Sequence, residues 1–377
     1  MKISGFTGLK NYKNSLLLLN VNSERSLLEK GYDMKEKQIL KIGKLDFLWE
    51  TENPFLFCAH HKDKFPKGND EQGVLAEHLS DRNIGNDFQI KDGFRLYHGD
   101  KVPGFPAHPH RGFETVTIVL EGFVDHTDGN GSAGRYGNGD VQWMTAGSGL
   151  QHAEMFPLVY KEKENPLDLF QIWLNLPKKS KFTDPYYKML WAEDIPVVDV
   201  IDNNGKKSKV RLISGTFAGV KSLSPSPNSW AANPDNHIGI KLIKMEPEAI
   251  IKLPAVSETL SRNLYYYIGE SISIGETTIE VNHRAKLVGN EEITITNGAK
   301  ESYILVLEGE PIQEPVVQYG PFVMNTQKEI QEAFMDFQKT EFGGWPFGRF
   351  DPVHSSGDSR FARYPDGTVE ERGPFKS

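Results

Sequence analysis

Only one cysteine, Cys58, occurs in the 377 residues, so no disulfide can close within the chain and no cysteine cage can hold a metal. That usage fits a reducing compartment. Long apolar runs are missing too. None approaches the roughly 20 consecutive apolar residues that cross a bilayer as a helix. The short run Leu16–Leu19 is interrupted by Asn20 and Asn22, with no small-residue cleavage site after it, so no signal peptide is expected. An excess of positive charge is also absent: 43 Lys and Arg face 51 Asp and Glu, for a formal net charge of -8. Phosphate-rich partners need a basic surface, so direct binding of nucleic acid or an anionic membrane is not expected. The absences together describe a soluble, cytoplasmic protein.

What is present points to β structure. Glycine (35) and proline (22) supply many turns. From Leu45 the chain runs through short segments rich in aromatic and β-branched residues, among them "DFLWE", "GFRLYHG", "ETVTIVLEG", "DVQWMTA" and "DLFQIWLNL", each bounded by Gly, Pro, Asn or Asp. The polar, proline-bounded stretch Asn175–Tyr187 reads as a linker. Beyond it the rhythm resumes in "KVRLISGTF", "IGIKLIKMEP", "NLYYYIGESISIG" and "SYILVLEGEP". This length suits two domains. Four regions are expected: an extension over 1–44 with some helical character, a first β domain over 45–180, a second over 181–320, and a helix with a surface tail over 321–377. The helix is set by Ile330, Phe334 and Phe337 on one face, by Thr326 and Glu329 at capping-box spacing, and by the stop Gly343-Gly344.

The chemistry is concentrated in two short motifs. His108 and His110 are spaced i, i+2 and on a strand would point to the same face. Such a pair alone is more often solvated or hydrogen-bonded than metal-bound. One hairpin later, "NGDVQWMTAGSGLQHAEMF" repeats the spacing with His152 and Glu154. Three neutral imidazoles and one carboxylate suit a divalent first-row metal with positions left open for substrate and dioxygen. An internal comparison makes this a single site. Setting Gly122 of "TVTIVLEG" on Gly269 near the end of "LYYYIGE" places Ala255 and Ser257 where His108 and His110 stand, and His237 and His283 are isolated.

The segments "GFPAHPHRGFETVTIVLEG", "GDVQWMTAGSGLQHAEM", "FQIWLNLP" and "EPVVQYGPFVMNT" resemble the pirin family of the cupin superfamily, over about residue 45 to the end. The resemblance implies an all-β fold of two cupin (jelly-roll-like) β-barrels packed together, the N-terminal one holding the metal, with the C-terminal helix and N-terminal extension attached. It implies His108, His110, His152 and Glu154 as ligands of one divalent metal. Ferrous iron is the implied ion, although nickel, manganese, cobalt, copper and zinc suit the same donors. The implied reaction is of the quercetin 2,3-dioxygenase type, on a flavonol or a related enol or catechol with O₂, and Glu154 would be its proton acceptor. The alternative is a non-catalytic, redox-sensitive iron protein that binds a protein partner. Two features depart from the family: the first 40-odd residues, and Cys58-Ala59-His60-His61 where a Phe-Asp-His run is usual.

Other residues invite plainer readings. Glu114 fills a general cupin position but belongs to the second shell at best. His98 is expected as a loop hydrogen-bonder, His126 as a surface strand residue, and Arg111 as a loop brace. His60 and His61 cannot both face inward. Trp143 and Phe113 are expected in the core, and Cys58 as a small buried hydrophobe.

Overall fold

Alternation of apolar residues along the strands is built into four main sheets, stacked face to face. The computed structural model describes residues 38–357 and 359–373. The helical character expected near the N-terminus falls within residues 1–37, outside the described residues.

The first barrel closes one six-stranded sheet on another. One runs in the order Tyr186–Leu190, Val141–Thr145, Phe113–Glu121, Asn165–Asn175, Phe55–Phe65, Leu48–Trp49. The other runs Val369–Arg372, Arg360–Arg363, Ala133–Gly137, Phe123–Asp128, Leu150–Met155, Gly104–His110. Between them pack Phe65, Val119, Val124, Tyr136, Leu169 and Tyr187. The second barrel pairs a seven-stranded sheet, from Ile39–Lys44 to Val197–Ile201, with a four-stranded one, around Leu212, Ile243, Leu264, Ile274, Ile295 and Val306. The two larger inner sheets then meet back to back through Val116, Ile118, Trp143 and Ile172 on one side and Ile240, Tyr265 and Leu305 on the other.

This double burial explains why Phe113–Glu121 is buried continuously from Phe113 to Val119. Val116 and Ile118 face the second barrel, and the alternate residues Thr115 and Thr117 face the interior of the first. Trp143 is a core residue of the interface between barrels, and Cys58 is fully buried there, its thiol pushed up by desolvation.

The sheets draw strands across the boundaries expected from the sequence. Ile39–Lys44, read as part of the extension, pairs with His283–Leu287 and becomes an edge of the second barrel. The stretch Asn175–Tyr187 does not link the barrels, because the strand that follows it, Tyr186–Leu190, pairs with Val141–Thr145 in the first. Its polar composition hid a buried residue: the Lys181 ammonium donates to Gly112 O, Asn175 Oδ1 and Val323 O, and burial lowers it to about 7. The C-terminal tail is not free surface either. Arg360–Arg363 pairs with Ala133–Gly137, and Ala362 is fully buried. Before it, the His354 and Ser355 carbonyls accept from Arg135, which is itself held bidentate by Asp125.

The helix forms as expected over Gln327–Thr340, with Thr326 accepting from the Glu329 N–H. It ends at Glu341, in left-handed conformation, two residues before the glycine pair. Ile330 and Ala333 pack on Phe322 and Met324.

One topological fact positions the site. Gly104–His110 is the edge strand of its sheet, and an exposed edge is a hazard that proteins cover. The chain returns from beyond the second barrel to do this: Ala107 N–H donates to Phe350 O, and Arg111 bridges in parallel to Phe322.

Candidate metal centre

His108 and His152 lie directly opposite each other on the neighbouring antiparallel strands Gly104–His110 and Leu150–Met155. Residues two apart share a face, so His110 and Glu154 join them there. The three imidazoles offer ligand atoms that all lie within 4.8 Å of one another, the one such group of His, Cys, Asp or Glu among the described residues. His108 Nε2 and His152 Nε2 are 3.1 Å apart. Two imidazole nitrogens bound at right angles to one cation, each at about 2.1 Å, would be about 3.0 Å apart, so the spacing fits a shared ion.

Tautomers and charge agree. His108 Nδ1 donates to the Pro106 carbonyl (2.9 Å) and His110 Nδ1 to the Pro321 carbonyl (3.4 Å). A carbonyl can only accept, so the proton sits on Nδ1 and the Nε2 lone pair is free to ligate. Burial lowers His108 to about 4 and holds His110 and His152 well below the usual histidine range. At neutral pH the cluster is therefore uncharged, the form a metal requires. The His152 Nδ1 is buried without a hydrogen-bond partner.

Glu154 stands beside this trio, outside the group of closest ligand atoms. Its Oε2 is 3.9 Å from His152 Nε2 and accepts from Gln171 Nε2 at 2.7 Å; its Oε1 accepts from Thr117 at 3.2 Å. Desolvation raises its carboxyl above the usual range. Thr117 and Gln171 escaped notice in the sequence, although each is a polar residue set between apolar neighbours of a strand. Ala59, at the departure from the family pattern, sits directly across from Gln171 on the adjacent strand.

A fourth imidazole was placed wrongly by the sequence. His126 is fully buried, not on the surface, because its strand pairs with Leu150–Met155 and sets it opposite Glu154. Its ring lies 5.5 Å from that of His152 and stacks on Tyr187, while Nε2 meets Asp128 and Nδ1 meets Gln142. Val124, two residues earlier and fully buried, shares its face and was the available signal.

The remaining candidates resolve simply. Phe113 is buried and packs against His110 and Trp173. His98 bonds the Gly85 carbonyl. His61 is buried against Tyr97, while His60, on the opposite face, pairs with Asp168. Arg111 braces more than a loop: it donates to Ser148 O and to Asp336 of the helix, and lies over the Phe342 ring. That ring leaves no room at Gly149 (φ +135°), where a methyl group would fall 2.5 Å from it.

Glu114 does not belong to the centre's second shell. Alternation turns it toward the second barrel, and there Thr145 of the neighbouring strand and Ser229 donate to it. Burial raises its carboxyl from 4.5 to about 7. Because the folded value is the higher one, the wild type loses stability through this group as pH rises from 4.5 past 7. Glu114→Gln should therefore be more stable than wild type at pH 8, by on the order of 2–3 kcal/mol, and gain nothing at pH 4. Urea melts at both pH values measure this, and an equal difference at each would refute the assignment.

Comparison with known proteins adds the family context. The Pirin family model matches residues 48–174, and the model for the Pirin C-terminal cupin domain matches 242–343. The chain is similar to human Pirin, 37% identical over 276 residues, 70% of this chain and 87% of that one. It is likewise similar to a Pirin-like protein of Solanum lycopersicum, 37% identical over 264 residues, 68% and 84% of the two chains. Among solved structures, a quercetin 2,3-dioxygenase of Acinetobacter baumannii aligns at TM-score 0.64 and 26% identity, over 81% of this chain and 98% of that one.

Proposed function

The chain belongs to the pirin family, with two cupin domains, and from that premise we propose that it is a metal-dependent dioxygenase acting on a flavonol such as quercetin or a related enol or catechol. One observation supports the reading: three uncharged imidazoles converge within 4.8 Å, and backbone carbonyls fix the tautomers of two of them, His108 and His110. His108, His110 and His152 would hold the ion, with Glu154 as the carboxylate ligand or its immediate neighbour. Ferrous iron is the ion proposed. Bound there, it would supply Lewis-acid polarisation of a substrate hydroxyl and redox access to dioxygen.

The protein's own part is proton transfer and positioning. Glu154 accepts the substrate's hydroxyl proton, at Oε1, the oxygen with the longer hydrogen bond. Its raised pKa makes it a stronger acceptor than an exposed carboxylate. Gln171 and Thr117 hold the carboxylate in place for that transfer. The second barrel offers no comparable group among the described residues. In its interior Lys241, Glu308 and Arg262 form a buried ion cluster instead.

The test is anaerobic reconstitution with each candidate metal, followed by oxygen uptake with a panel of flavonols and catechols. Uptake with at least one metal is expected. No uptake with any would end the enzymatic reading and leave a redox-sensitive binding protein in its place.

A further inference from the structure

His110 owes its orientation to a segment 211 residues away, since its Nδ1 donates to the Pro321 carbonyl. The two segments are joined again by Arg111 N–H to Pro321 O and by Val323 N–H to Arg111 O. Immediately beyond this pair of bonds lies Lys181, 1% exposed. Its three ammonium protons meet three oxygens: Gly112 O at 2.8 Å, two residues after His110; Val323 O at 3.0 Å, two residues after Pro321; and Asn175 Oδ1 at 2.8 Å. All three acceptors are uncharged. No carboxylate bonds this ammonium, although Glu314 and Glu329 act on it through space.

A buried cation costs far more than a buried methyl group unless its hydrogen bonds are complete. Here they are complete, and what they tie together is the end of the His110 strand and the segment that orients His110. Gly112 permits the approach: its φ is +87°, and a side chain there would strike the Val323 carbonyl.

We propose that Lys181 is a positioning residue of the metal centre, clamping the His110 strand to the Pro321–Val323 segment so that the His110 Nε2 stays aimed at the ion. The inference rests on reading His108, His110 and His152 as a metal site. Lys181 touches neither ion nor substrate and acts only through His110.

Cobalt(II) serves as the probe, because its visible absorption reports ligand geometry and chelator competition reports affinity. In the full-length protein Lys181→Met should weaken cobalt binding about tenfold or more, as loss of outer-shell support does, and should shift the absorption bands. Lys241→Met is the control. It breaks a buried ion pair in the second barrel and should lower thermal stability while leaving cobalt affinity and spectrum at their wild-type values. If Lys181→Met does not fold, Asn175→Ala removes one of the three acceptors and should weaken cobalt in the same direction. Wild-type affinity and spectrum in the variant of Lys181, or in that of Asn175 where it stands in, would overturn the clamp. Failure of the wild type to bind cobalt would overturn the metal reading itself, and the clamp with it.

Discussion

Replacing His152 with alanine is expected to leave the protein folded but without metal. His152 is fully buried and central to the trio, 3.1 Å from His108 across the strand pair and 5.0 Å, ring to ring, from His110. Removing it leaves two imidazoles from one strand and a carboxylate already engaged by Gln171 and Thr117. Loss of outer-shell partners alone lowers metal affinity about 10–100-fold, so loss of a direct ligand should exceed about 100-fold. The four-layer core does not depend on the ion, since apolar packing closes both barrels. Elemental analysis of wild type and variant purified together, with circular dichroism as the check on folding, decides the matter. Equal metal content would remove the site.

The second large effect is on turnover. Glu154→Gln keeps the shape of the side chain, and the new amide oxygen can still accept from Gln171. The group loses its basicity. If Glu154 takes the substrate's proton, kcat should fall by about 10²–10⁴, with metal content close to wild type because three histidines remain. Stopped-flow oxygen consumption normalised to bound metal reads this directly. Full activity at unchanged metal content would exclude the role.

Much of this architecture was legible in the chain because strand alternation and turn residues are local signals. The i, i+2 pairs His108/His110 and His152/Glu154 declared a shared face, and antiparallel pairing then made that face common to both. What escaped was non-local. His126 looked like a surface residue because its neighbours Asp125, Thr127 and Asp128 are polar; they too are buried, Asp125 held by Arg135 and the returning tail and Asp128 by His126 and the Asn130 and Ser132 N–H groups. Lys181 lay in a stretch whose lysines and prolines imitate a linker. Glu114 carried a family-like position, yet a one-residue difference in alternation sends its side chain to the opposite side of the sheet. The strand Ile39–Lys44 and the pairing of Arg360–Arg363 depend on partners more than 200 residues away, and no local pattern encodes such a distance.

The covering of the histidine strand has a consequence for the order of events in the cell. His110 leaves the ribosome long before Pro321, which orients it, and before Phe350, whose carbonyl caps its strand. At about 5–20 residues per second, that interval is on the order of tens of seconds. Throughout it the first barrel lacks the edge cover and the acceptor that select the His110 tautomer. A nascent chain thus carries His110 before the acceptor that orients it. On the proposed metal reading, loading would be a late step, and the segment from Pro321 onward would set its timing.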